Sequence, residues 1–156
     1  MKIILDNKEY KNIWDNIYSN FKFDPSVDQN VNPFKFDIDY VCYKLNSVWS
    51  EEQEKIVNTI FKEISEDDLY ALDWNHDCFE YNPSENIELD YHYHDNDRDV
   101  EVYFPSYYPN GDYYFFVSKD LKYGMLGHPW RKEIYVFGKE LIDAFSKHEN
   151  ELNITK

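Results

Sequence analysis

The chain has 156 residues, 42% hydrophobic, 19% aromatic and 30% charged, with a formal net charge of −15 at pH 7. That is the size of one ordinary domain, with enough aromatic side chains to build a core and none of the aromatic-poor character of disorder. Its 16 Lys and Arg against 31 Asp and Glu lack the electrostatic footprint of a phosphate-binding surface, so nucleic acid is excluded as the expected direct ligand.

The opening Met1-Lys2-Ile3-Ile4-Leu5-Asp6 has too short an apolar run for a signal peptide or a membrane span, and a cytoplasmic location away from membranes is expected. Asp6 with Glu9 reads as a capping box, and Tyr10, Ile13, Trp14, Ile17, Tyr18 and Phe21 follow at helical spacing up to Asp24-Pro25. After a loop from Pro25 to Pro33, Phe36, Ile38, Tyr40 and Cys42 alternate with their neighbours as a strand. Ser50 with Gln53 makes a second capping box, opening a helix whose apolar stripe is Ile56, Val57, Ile60, Phe61 and Ile64.

From Leu69 the period changes to two, with Tyr70, Leu72, Trp74, His76 and Cys78 on one face and Asp73, Asn75 and Asp77 on the other, which predicts one half-buried strand. Ile87 to His94 and Val100 to Phe104 form a hairpin around Asp95-Asn96-Asp97. Pro109-Asn110-Gly111-Asp112 is a turn, and the unbroken apolar run Tyr113 to Val117 predicts a central strand buried on both sides. Strands follow at Tyr123 to Met125 and Ile134 to Phe137, and Gly138 starts a last helix carrying Leu141, Ile142 and Phe145. The expected class is α+β. A single domain is expected over 1–156, with a mainly helical part at 1–66 (two helices), an antiparallel sheet of about five to six strands at 67–138 and one helix at 139–150.

Acid is concentrated. Ser65 to Asp112 holds fourteen Asp and Glu against the single basic residue Arg98, while Tyr113 to Lys139 carries five Lys and Arg against Asp120 and Glu133. A surface so negative repels itself when folded, which points to a basic partner, a bound cation or solubility.

His92 and His94 share a strand face with Glu88 and Asp90, a weak candidate metal arrangement whose competing reading is a solvated polar face. Asp95-x-Asp97-x-Asp99 imitates a calcium loop but has Val100 and Ser106 where that loop needs Gly and Glu. His76, on the apolar face, reads as a hydrogen-bonded core histidine, and Cys78 as a packed thiol. Cys42 and Cys78 can pair in principle, but two cysteines in a cytosolic domain are expected to be reduced. Gly124 to Trp130 puts two glycines, His128, Pro129 and Trp130 within seven residues, either a site or a bend plugged by an indole. No phosphate loop, nucleophile elbow or dinucleotide fingerprint occurs, so no cofactor is expected and an enzyme is disfavoured.

Three segments, Tyr70-Ala71-Leu72-Asp73-Trp74-Asn75-His76, Pro109-Asn110-Gly111-Asp112-Tyr113-Tyr114-Phe115-Phe116 and Tyr123-Gly124-Met125-Leu126-Gly127-His128-Pro129-Trp130 with Phe137-Gly138 beyond, resemble a bacterial family known as domain of unknown function 2716. The resemblance covers about 69 to 145 well and the N-terminal third loosely. It implies that Asp73, Trp74, His76, Gly111, Asp112, Tyr113, Gly127, His128, Pro129 and Trp130 lie in family motifs, and it implies no activity. Tyr91 to Arg98 matches none of those motifs.

Two functions follow as expectations. One is an acidic cytoplasmic protein-binding module, immunity- or antitoxin-like, that covers a basic protein such as a toxin with Glu88, Asp90, His92, Asp99, Glu101 and Tyr103. The alternative is a metal-dependent or acid–base enzyme in which Asp73, His76, Asp112 and His128 converge. A structural protein whose acid only confers solubility is the third reading.

Overall fold

The computed structural model covers Met1–Lys156 and is an α+β structure built on a large antiparallel sheet. In chain order the elements are β1 (Lys2–Ile3), α1 (Asn7–Phe21), β2 (Tyr40–Leu45), α2 (Glu51–Ile64), β3 (Leu69–Asp73), β4 (Cys78–Tyr81) and a 3-10 turn at Pro83–Glu85. They continue with β5 (His92–Asp95), β6 (Val100–Tyr103), β7 (Tyr114–Ser118), β8 (Gly124–His128), β9 (Glu133–Phe137), α3 (Lys139–Lys147), α4 (Glu149–Leu152) and β10 (Ile154–Thr155). Eight strands form one sheet in the order β1-β4-β3-β7-β8-β9-β2-β10, and β5 pairs only with β6. No helix is long and apolar enough to cross a membrane.

Side-chain alternation splits the sheet into two buried faces. Phe115 and Val117 of β7, with Leu72, Leu126 and Phe137, pack against Ile13, Trp14, Ile17 and Phe21 of α1 and the Phe23 and Phe34 that follow it. The intervening Phe116, with Ala71, Met125 and Val136, packs against Val57, Ile60 and Phe61 of α2 and Leu141 and Phe145 of α3. β7 is therefore central and covered on both sides, which is why its sequence shows no alternation of polarity.

Capping fixes the helix starts. Asp6 accepts from the Glu9 amide, and Ser50 and Gln53 make the full reciprocal box, each side chain bonding the other residue's backbone. Gly138 precedes α3 with φ 90, and a Cβ there would lie 2.4 Å from that of Tyr123, so both conformation and space demand glycine.

The structure corrects several expectations. There are ten strands instead of five or six, because β2 joins the sheet, the strand read from Leu69 divides into β3 and β4, and β1 and β10 add two-residue edges; there are four helices instead of three, because His148 ends α3 and opens a separate α4. In the mainly helical N-terminal part, β1 and β2 also join the sheet. The strand placed at Phe36 to Cys42 lies at Tyr40–Leu45, with Phe36 stacked on Tyr40 and Tyr135 instead of paired. The single strand read from Leu69 to Cys78 is a hairpin: β3 stops at Asp73, Asn75 takes φ 64, and the chain returns as β4.

Candidate functional site

That hairpin turn gathers the chemistry. The Trp74 amide donates to the Tyr113 carbonyl (3.1 Å) and the His76 amide donates to the Asp73 carbonyl (3.0 Å), which folds the imidazole back over the end of β3. Asp73 pairs in register with Tyr114, so Asp112, just before β7, arrives beside it. One Asp112 oxygen, Oδ1, accepts from the Tyr113 amide at 2.8 Å, and the other, Oδ2, lies 3.5 Å from His76 Nδ1. His76 Nδ1 is also 3.0 Å from Asp73 Oδ1 and 3.0 Å from the Trp74 carbonyl oxygen. One ligand atom from each of Asp73, His76 and Asp112 lies within 4.8 Å of the others.

The expectation of a core histidine at position 76 is overturned. Its side chain is 63% exposed, while those of Asp73 and Asp112 are 14% and 18% exposed, because the turn ends the alternation that would have put the imidazole inside. Burial holds the carboxyls of Asp73 and Asp112 above the usual carboxylate range, with His76 pulling both down, and in Asp73 the charges of Asp112 and Asp77 add to the rise. Burial opposes the charged form of His76, yet its bonds to Asp73 and the Trp74 carbonyl and the nearby Asp112 outweigh this and raise it. Asp73 and His76 thus titrate as one unit that retains protons to higher pH.

Behind the turn, the Tyr10 hydroxyl donates to the His76 carbonyl (3.0 Å), and Trp74 Nε1 donates to the Tyr18 hydroxyl (2.9 Å). Tyr10, Trp14, Tyr18 and Trp74 line a shallow groove of about 230 Å³ beside the cluster. The Cys78 thiol is buried beneath, pushed up to about 12 by burial, and its weak contacts go to the Asp73 and His76 carbonyls instead of the imidazole. Tyr114 donates to Asn110 Oδ1 (2.9 Å) at the rim, beside Gly111, where a Cβ would lie 3.6 Å from that hydroxyl in ordinary contact.

His128 does not join the cluster. It is fully buried, its Nδ1 accepting from the Arg131 amide at 3.3 Å and its Nε2 lying 3.5 Å from the Tyr113 hydroxyl; burial and Arg131 lower it to about 4. Tyr113 and Trp130 meet edge-on at 5.2 Å, and Pro109 sits so close to Gly127 that a Cβ there would lie 2.8 Å from it. Gly127, His128 and Trp130 are thereby packed onto the Pro109 to Tyr113 turn that carries Asp112, and Pro129 stands in the turn that follows β8.

The acidic residues chosen for partner binding lie elsewhere. In β5–β6, His92 is opposite Tyr103 and His94 opposite Glu101, and all four are exposed. His94 is bracketed by Glu101 (2.8 Å) and Asp99 (3.1 Å), and His92 stacks on Tyr103 at 5.2 Å. Glu88 and Asp90 precede β5 and do not share its face, since Asp90 turns the chain with φ 60; both are exposed. Arg98, itself exposed, bonds Asp95 (2.6 Å) and, across to the β3–β4 turn, Asp77 (2.8 Å). The basic stretch does not neutralise this face: Lys119 pairs with Glu80, Lys122 with Asp120, Arg131 with Glu133 and Lys139 with Asp143.

One titratable residue escaped the reading of the sequence. Glu54 is 8% exposed, accepts from the Tyr107 and Tyr108 amides (2.9 Å each), and is raised by burial to about 7. Its signal was present: Glu54 stands on the same stripe as Val57 and Phe61, where an acid must find partners.

No solved structure matches the chain significantly. The uncharacterized protein YxiI of Bacillus subtilis (strain 168) is 42% identical over 78 residues, which are 50% of this chain and 43% of that protein. The chain therefore matches less than half the length of that relative. The family described as protein of unknown function (DUF2716) matches residues 4–142, which include Asp73, His76, Asp112 and the whole β5–β6 hairpin, and the chain belongs to that family.

Proposed function

We propose that the protein is an acidic binding module, immunity- or antitoxin-like, whose β5–β6 hairpin and the preceding Glu88–Asp90 segment dock against a basic protein. The observation that carries this reading is the pairing of Arg98: the lone cation of the acidic segment is engaged by Asp77 and Asp95, leaving Glu88, Asp90, Asp99 and Glu101 exposed with no Lys or Arg paired to them. Exposed carboxylates without a Lys or Arg partner supply attraction at a distance, and the Tyr103–His92 stack supplies a flat anchor among them. A cytoplasmic setting, where such a partner is made, belongs to the same reading.

The test is affinity capture from the source cell with the native chain and with the Glu88→Lys/Asp90→Lys/Glu101→Lys variant in parallel, at low and high salt. A basic protein held by the native chain, released by salt and lost on charge reversal is expected. No basic partner, or capture indifferent to both salt and charge reversal, overturns the reading. Neutralisation in particular requires the captured partner to arrest growth when expressed alone.

A second reading rests on the convergence of Asp73, His76 and Asp112, which as a set of coupled acid–base groups suits proton transfer. It predicts a pH-dependent activity lost in His76→Ala while the fold persists.

A further inference from the structure

Three side-chain donor atoms at the β3–β4 turn, from Asp73, His76 and Asp112, lie within 4.8 Å of one another, close enough for one ion to draw them together. A tetrahedral ion with bonds of about 2.0–2.1 Å to nitrogen and oxygen separates its ligands by about 3.3 Å. Around His76 Nδ1 stand Asp73 Oδ1 at 3.0 Å, the Trp74 carbonyl oxygen at 3.0 Å and Asp112 Oδ2 at 3.5 Å, so an ion that takes the place of the Nδ1 proton needs the two carboxylates to close in only slightly. One imidazole nitrogen among hard oxygens is a donor set suited to first-row divalent cations.

Charge points the same way. No Lys or Arg pairs with Asp73 or Asp112, although the two carboxylates are mostly buried and close together. Two converging carboxylates in this setting repel each other unless a cation lies beside them: the protonated His76 or, once Nδ1 gives up its proton, a bound ion in its place. Neighbouring Asp77, which adds to the same field, has its Arg98 directed to its own oxygens.

The donors are also held in place before any ion arrives. The Trp74 amide is tied to Tyr113, the His76 amide to Asp73, and Asp112 Oδ1 to the Tyr113 amide, which leaves Oδ2 free to face the cluster. Such outer ties orient ligands and raise affinity. With His76 exposed, water can enter and complete the coordination.

We propose that Asp73 Oδ1, His76 Nδ1 and Asp112 Oδ2 bind one divalent first-row cation of the Zn2+ or Mn2+ type, leaving at least one coordination position open to water. The site is independent of the partner-binding face, and either can fail without the other. With an open position, a bound ion acidifies its water and gives the second reading of function a nucleophile.

The test uses the full chain stripped with chelator and titrated calorimetrically with Zn2+ and with Mn2+. One ion per chain is expected, with affinity at least tenfold weaker in His76→Ala and in Asp112→Asn. His76 is exposed, so its variant should fold, and an unchanged thermal midpoint in the absence of metal verifies this. His94, bracketed by Asp99 and Glu101, is the competing site, and His92→Ala/His94→Ala should leave the affinity unchanged. Absence of stoichiometric binding by either ion overturns the proposal. Binding abolished by the His92/His94 variant, or binding intact in both His76→Ala and Asp112→Asn, overturns it equally.

Discussion

The β3–β4 and β5–β6 hairpins have similar turn chemistry, each rich in Asp, Asn and His, yet they hold their side chains very differently. Strand β3 lies inside the eight-stranded sheet with β7 on its far side, and its turn inherits the backbone bond from Trp74 to Tyr113. The β5–β6 pair has no third strand, one fully buried residue in Val102, and a link to the rest through Arg98 and Asp77. Fixed distances between functional groups follow from the neighbours a turn inherits. A reaction or an ion, which needs separations held within a few tenths of an ångström, suits the first hairpin, and adaptable charge complementarity suits the second.

Core substitutions test that difference most strongly. Phe116→Ala in β7 should cost about 3–5 kcal/mol in urea unfolding, and Val102→Ala only about 1.5 kcal/mol, the worth of two buried carbons. Equal losses would mean that the small hairpin is as integral to the core as the sheet.

Glu54 ranks next, because it ties Tyr107 and Tyr108, the residues leaving the small hairpin, to α2. Its carboxyl is raised from 4.5 to about 7, so its contribution is fully present below about 4.5 and is lost as pH rises through about 7. Native stability should therefore fall by roughly 2–3 kcal/mol from this group across that window, and Glu54→Gln should flatten the slope when unfolding is measured at pH 5 and pH 7.5.

Arg98→Ala should cost about 0.5–1 kcal/mol overall, since its pairs are partly exposed, while amide exchange accelerates in β5 and β6 and not in β3 and β4. Smallest of all, Glu101→Lys should move global stability by less than about 0.5 kcal/mol. A larger loss would show that His94–Glu101 is a structural pair instead of part of a docking face.

Elements were legible in the sequence where local chemistry and burial agreed. The Ser50–Gln53 box with its apolar stripe gave α2, and the unbroken Tyr113 to Val117 run gave the centre of the sheet. Leu69 to Cys78 misled because a period of two runs on through Asp73-Trp74-Asn75-His76-Asp77, and no glycine marks the turn that Asn75 makes in the left-handed region. The consequence reached the site: the same slip put His76 inside and the carboxylates outside, on opposite faces of a strand that does not extend so far. Edges as short as β1 and β10 carry no period at all, and only the whole sheet explains them. Asp73, His76 and Asp112 were picked out as residues, but their meeting depends on the Asp73–Tyr114 register, a long-range property.

Arg98 has one more consequence, for proteolysis. Between Lys62 and Lys119 it is the only position after which trypsin can cut, and it stands at the tip of β5–β6. While its guanidinium is held by Asp77 and Asp95, the side chain that the protease must engage is occupied. Nicking at this bond therefore reports release of the latch, and in the released state the acidic strip parts into two polypeptides at the point where it was fastened to the body of the protein.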